Sequence, residues 1–221
     1  MRLRTHPVEP EAGPWRTVSF PELLAGLRTR CVGQARAAIA IDGRSAGGKS
    51  TLAARLAAAG GAEVVHTDDV AWWHDFFDWD DLLIDGVLEP YLAGDAVNFR
   101  PPAWDVRGRE GAITISPGCS VVLIEGVGSS RRSLAPYLSA AVWVQSDWPL
   151  AEARGIARDM LTERADPAEA KRFWDDWDAG ERALFAADRP WERADVVVCG
   201  TPLIEVGEDE VLIGATPAWS T

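Results

Sequence analysis

Ala37-Ala38-Ile39-Ala40-Ile41-Asp42-Gly43-Arg44-Ser45-Ala46-Gly47-Gly48-Lys49-Ser50-Thr51 is the stretch that decides the fold. Its first five residues form a short, continuous apolar run, as in a strand buried on both faces of a parallel sheet. Residues 43–51 satisfy G-x-x-x-x-G-K-[ST], the phosphate-binding loop between a strand and a helix. Glycines let the backbone N–H groups converge on phosphate oxygens, and the following helix N-terminus adds free N–H groups and a favourable dipole. Lys49 is placed to reach the β- and γ-phosphates, and the Ser50 hydroxyl to bind Mg²⁺. Gly43 to Thr51 are therefore the expected ATP-binding residues. Residues 50–59 are rich in Leu, Ala and Arg and stop at Gly60-Gly61, as a helix following the loop should.

Four further runs share the buried-strand character: 63–66, 121–124, 141–144 and 196–199. Helices are expected over 80–93, 133–139, 148–164 and 168–187, and a short strand over 113–115. Ser19 caps another helix, with Glu22 in its first turn. Strands alternating with helices imply an α/β three-layer sandwich around a central, mostly parallel sheet. The expected organisation is an irregular arm and helix over 1–35, a core domain over 36–206 and a tail over 207–221. Within the core, an acceptor-side insertion covers about 68–118 and a helical lid about 146–190.

The chain has 221 residues and a formal net charge of -12. That balance argues against a nucleic-acid binder, which needs a basic footprint. Three scattered cysteines form no disulfide framework or zinc motif, which fits the reducing cytoplasm. No apolar run approaches the length of a membrane span. A homo-oligomer is compatible with the sequence. Lys49 and Lys171 are the only lysines among 22 basic residues.

Strand ends carry the remaining chemistry, because functional groups gather at the carboxyl ends of parallel strands. The strand at 121–124 ends in Glu125-Gly126, and that carboxylate is suited to Mg²⁺. The strand at 63–66 ends in Thr67-Asp68-Asp69. A phosphoryl acceptor needs a carboxylate to orient its hydroxyl and take the proton, and Asp68 and Asp69 are the candidates. Arg154 and Arg158 stand at i, i+4 on one helix face, and Arg164 follows; such a face can neutralise phosphate charge. Asp159 and Glu163 are interleaved, so ordinary surface salt bridges are the competing reading. His66 reads as a hydrogen-bonded core histidine, and Trp174 and Trp177 as a packing stripe. His74, near Asp75 and Asp78, is a weak metal candidate. Arg107, Arg109, Arg131 and Arg132 are basic islands suited to an anionic acceptor.

The ordered set resembles uridine kinases and their relatives, the group that includes phosphoribulokinase and bacterial pantothenate kinase. It comprises the phosphate loop, Thr67-Asp68-Asp69, Phe77-Asp78-Trp79-Asp80, Pro102-Ala103-Trp104-Asp105, residues 121–126 and Arg154-x3-Arg158-Asp159-x4-Arg164. The resemblance covers about residues 37–165. It implies Asp68 as catalytic base near Mg²⁺, Glu125 and Ser50 at the metal, and Asp78 on acceptor hydroxyls. Trp104 then stands where a tyrosine lines the nucleoside site, beside Asp69 and Arg107, and Arg154, Arg158 and Arg164 belong to the lid. The implied activity is ATP- and Mg²⁺-dependent phosphoryl transfer to a hydroxyl of a small molecule, a nucleoside or related ribosyl compound. The chain departs from uridine kinases in lacking any histidine after His74 and in carrying the extra amphipathic segment 172–181. A nucleoside monophosphate kinase and a non-catalytic ATP-binding regulator are the alternatives.

Overall fold

A computed structural model describes residues 1–162 and 164–215. Five strands run parallel: β2 (Ala37–Gly43), β3 (Glu63–His66), β6 (Val121–Glu125), β7 (Ala140–Gln145) and β8 (Val196–Cys199). Two more complete the sheet, β1 (Trp15–Ser19) and β9 (Glu210–Gly214), in the order β1-β9-β8-β7-β2-β6-β3. β9 is antiparallel to both its neighbours. β4 (Val97–Phe99) and β5 (Ile113–Ile115) form a separate antiparallel pair.

Alternation along the strands divides the core into two faces. Ile39, Ile41, Val142 and Val144 pack against α1 (Phe20–Arg30) and α2 (Lys49–Gly60). Ala38, Val122 and Ile124 face the opposite layer. That layer holds α3 (Thr67–Val70), α4 (Asp80–Leu83), α5 (Glu89–Ala93) and α6 (Pro102–Arg107). Trp143 and Val197, on the same side, pack with Phe185 of α8 (Pro167–Asp188). The result is a mostly parallel sheet between helical layers.

Strand order reverses at β2: β6 and β3 lie on one side, β7 and β8 on the other. Such a reversal opens a crevice at the carboxyl ends of the strands. α7 (Trp148–Thr162) and α8 form a hairpin beside that crevice. The two helices approach closely at Gly155, where a Cβ would overlap the Trp174 ring.

Several expectations are corrected. Residues 1–18 are not wholly irregular, and the tail is not separate, because β1 and β9 pair with each other inside the main sheet. The helix expected over 133–139 is a single 3₁₀ turn, Ala135–Tyr137, where Pro136 contributes no N–H. The helix expected over 80–93 is continuous but carries a π turn, Ile84–Leu88, between α4 and α5. Pro90 cannot donate to the carbonyl four residues before it, so the wider turn precedes it. Among the described residues, no helix is long and apolar enough to cross a membrane.

Candidate active site

The phosphate loop leaves β2 and enters α2 through Gly48, whose φ of 101° is open to glycine at little cost. Ala46 also has positive φ, and Gly47 N–H turns back to the Arg44 carbonyl at 3.1 Å. This curls the backbone into an anion-binding concavity at a helix N-terminus. Lys49, though buried, donates its Nζ to the Arg44 carbonyl at 2.9 Å.

Below the loop lies Asp42, fully buried at the end of β2. It accepts from the N–H groups of Gly43, Gly128 and Ser130 and from the Ser130 hydroxyl, at 2.7 to 2.9 Å. Burial pushes its carboxyl up, and these four hydrogen bonds oppose the shift. Asp42 thus ties the phosphate loop to the segment following β6.

Glu125, at the end of β6, points one oxygen at Ser50 Oγ (3.2 Å) and the other at His66 Nδ1 (2.6 Å). Burial raises its carboxyl, but the His66 hydrogen bond and the Lys49 charge outweigh this and hold it below the usual range. His66 is pushed up by the same hydrogen bond. It is not a core histidine: its side chain is half exposed beside the crevice. Asp68 opens into the same space. Its carboxyl is pushed up, first by the protein walls that displace water, with Glu125 adding and Lys49 and Arg158 opposing.

The loop, Asp68 and Glu125 share one cavity of about 500 Å³. Ser45 to Ser50, Asp68 and Glu125 form its floor, and Arg158 and Asp159 of α7, with Arg164 after it, one wall. Trp73, Phe76, Phe173, Trp174 and Trp177 form the remaining apolar wall. Trp174 is buried as a packing residue should be, yet it and Trp177 also face this space. Arg158 donates to Asp159 at 3.0 Å, and Arg164 stacks on Phe173 at 3.6 Å. Glu163 lies outside the described residues. A second groove of about 410 Å³ opens on the far side of the loop, lined by Gly48, Thr51, Arg154 and residues 198–200. Gly48 borders both spaces, and Arg154 belongs to the second.

Other expected contacts are not brought to the cavity. Trp104 is buried in the core, donating its Nε1 to the Asp69 carbonyl at 2.9 Å under the Arg109 guanidinium. A segment that turns into α6 over the β4–β5 pair has to bury its large ring. The Asp69 carboxylate is paired with Arg109, and Arg107 stacks on Trp73 at 3.6 Å. Asp78 is exposed and lines neither space. Arg131 is buried against Trp79 and the Phe77 carbonyl, and Arg132 contacts Asp188. His74, by contrast, does line the cavity, but no cluster of three metal-ligating side chains occurs among the described residues.

The Arg44 side chain turns away from the cavity into a buried network. It donates to Glu9 at 3.2 Å and Glu181 at 2.8 Å, and all three side chains are almost wholly buried. Burial pushes both carboxyls up, with Arg44 opposing each shift. Glu9 also accepts from Trp143 Nε1 and Gln145 Nε2. Sequence reasoning passed over this network. Its one sequence signal is an acid, Glu181, on the α8 stripe that also buries Ala170, Trp174 and Phe185.

No protein-family model and no curated protein matches the sequence. Among solved structures, the chain is similar to a provisionally named fructose transport system kinase from Silicibacter sp. TM1040. The identity is 24% and the TM-score 0.58, over 77% of this chain and 96% of that one. It is also similar to a provisionally named uridine kinase from Bacillus stearothermophilus, at 20% identity and TM-score 0.47, over 80% and 98%. The first likeness, with the strand order and phosphate loop, establishes the fold as a P-loop three-layer α/β sandwich.

Proposed function

We propose that this chain is an ATP- and Mg²⁺-dependent kinase acting on a hydroxyl of a small molecule, a nucleoside or related ribosyl compound. The observation that carries this reading is convergence. Lys49, Ser50, Glu125, Asp68 and Arg158 come from four different elements and line one cavity. In-line phosphoryl transfer needs positioning and charge stabilisation more than covalent chemistry, and these groups supply both.

In this reading the ATP phosphates rest on residues 46–51, and the base lies in the groove beyond Gly48, near Arg154. Lys49 and Arg158 hold the transferring phosphoryl group. Asp68 orients the acceptor hydroxyl and takes its proton, and its upward shift suits a base. The Ser50 hydroxyl and Glu125 carboxylate are hard oxygen donors 3.2 Å apart and open to the same cavity, a set that suits Mg²⁺ shared with phosphates and water. When bound, the metal neutralises phosphate charge. His66 keeps the Glu125 carboxylate ionised and oriented.

A monophosphate acceptor is disfavoured. Arg107, Arg109 and Arg132 would have to read that phosphate, yet Arg109 is paired with Asp69 and Arg132 with the Asp188 carbonyl, which leaves Arg107, stacked on Trp73, as the one of the three beside the cavity wall. The aromatic wall instead suits an uncharged acceptor with a flat face. A non-catalytic role leaves Asp68 without a task.

The test is acceptor-stimulated ADP formation by purified protein with Mg-ATP and a panel of nucleosides, sugars and vitamins. Stimulation by an uncharged hydroxyl compound, with phosphorylated product, is expected. No stimulation across a broad panel would sink the reading.

A further inference from the structure

Glu181 lies on α8, well beyond the phosphate loop in sequence, yet it bonds to the loop itself. Ser45 N–H donates to Glu181 Oε1 at 2.7 Å. The Lys49 ammonium donates to the Arg44 carbonyl at 2.9 Å. Arg44 C=O and Ser45 N–H are the two ends of one peptide unit, and a peptide unit is planar. Fixing its N–H therefore fixes the direction of its carbonyl. The second Glu181 oxygen holds the Arg44 guanidinium at 2.8 Å, so the carboxylate grips the loop residue from both sides. All of this is shielded: Glu181 is 3% exposed and Arg44 2%.

We propose that Glu181 is a positioning residue for Lys49, acting through the Arg44–Ser45 peptide plane. The inference rests on the reading of Lys49 as a phosphate-binding group. It makes α8 part of the phosphate site's support and not only an acceptor wall. Movement of the α7–α8 hairpin then alters the direction in which Lys49 is held. Because Trp174 and Trp177 on the same helix line the cavity, acceptor occupancy and phosphate grip are mechanically joined.

The experiment is a double-mutant cycle on the full chain, read as Mg-ATP affinity by calorimetry, with melting curves for every variant. The variants are Lys49→Ala, Glu181→Leu, Glu181→Gln and the Lys49→Ala/Glu181→Leu pair. Glu181→Leu should weaken Mg-ATP by about tenfold or more with Lys49 present, and by less than about twofold when Lys49 is already alanine. Glu181→Gln keeps an oxygen for Ser45 N–H and should stay within about threefold of the parent. Equal factors in both Lys49 backgrounds, or no weakening by Glu181→Leu, would overturn the proposal. If Glu181→Leu does not fold, Glu9→Gln/Arg44→Met/Glu181→Leu removes all three charges of the buried network together, and the same cycle is run in that background. A parent chain that binds no Mg-ATP would instead overturn the proposed function and this inference with it. Mg-ATP binding that depends on Lys49 but not on Glu181 would overturn the inference alone.

Discussion

His66 Nδ1 lies 2.6 Å from Glu125 Oε2, while the other oxygen of that carboxylate lies 3.2 Å from Ser50 Oγ. The imidazole thus holds the carboxylate proposed to serve the metal, and the hydrogen bond favours its charged form. Its pKa in the folded chain is raised, first by this hydrogen bond. The charged form therefore stabilises the metal-free fold below the unfolded value of about 6.5, and that contribution fades as pH rises through the folded value. Glu125→Gln should return the His66 titration towards its ordinary midpoint. NMR titration without Mg²⁺ checks this; an unchanged midpoint would mean that the pair does not form in solution.

Asp68→Asn separates catalysis from binding. The amide keeps the shape and can still hold a hydroxyl, but it cannot take a proton. Loss of general-base function should lower kcat by about 10²- to 10⁴-fold. Mg-ATP affinity should change by no more than about threefold, since binding of the ground state is largely retained. Steady-state kinetics and calorimetry on the same preparation decide. Surviving turnover would remove Asp68 from the role of base.

The two lysines should respond in opposite ways to arginine. Lys49 is buried, with its ammonium folded onto the loop's own carbonyl. A guanidinium is wider and planar and cannot take that place, so Lys49→Arg should abolish phosphoryl transfer with charge retained. Lys171 is half exposed on α8, paired with Asp175 and Glu152. Lys171→Arg should leave activity unchanged and shift stability by no more than about 0.5 kcal/mol. ADP formation and a thermal melt check both.

What was legible in the sequence was what local rules govern. The buried strands 37–43 and 121–125 are continuous apolar runs, and the loop between β2 and α2 has a fixed spacing, so both could be read directly. β1 and β9 could not. Each is short and partly polar, and each is a strand only because the other pairs with it across the length of the chain. Glu181 and Glu9 were hidden for the same reason: a buried acid has meaning only beside Arg44, which neither adjoins in sequence. Trp104 was misplaced because its spacing from Pro102 and Asp105 says where it lies along the chain and not which way its ring turns.

With its ring 4% exposed and its Nε1 bonded to the Asp69 carbonyl, Trp104 supports the insertion rather than the acceptor. Trp104→Ala should cost about 3–5 kcal/mol of stability through the cavity it leaves. Trp104→Phe should cost less and leave the acceptor KM nearly unchanged. Urea melts and acceptor kinetics on the phenylalanine variant distinguish the two roles; a large, selective rise in acceptor KM would return Trp104 to the binding site.

The N-terminal segment carries its own pH signature. His6 is 4% exposed and meets the Trp148 ring edge-on at 5.3 Å. Its pKa is pushed down to about 4, by burial first and the Arg44 charge second, with Asp178 opposing and Arg182 adding. The folded chain therefore keeps His6 neutral where the unfolded chain would protonate it. Stability from this site is complete above about pH 6.5 and is lost as pH falls towards the folded value. The largest effect such a shift allows is about 3 kcal/mol. His6→Phe fills the same space without a titrating group, so its urea midpoint should fall less between pH 7 and pH 4.5 than that of the parent chain. Equal falls would show that the segment leaves its seat, or that His6 is solvated there. A smaller fall in the variant ties the acid sensitivity of the molecule to the strand of chain that also delivers Glu9 to Arg44.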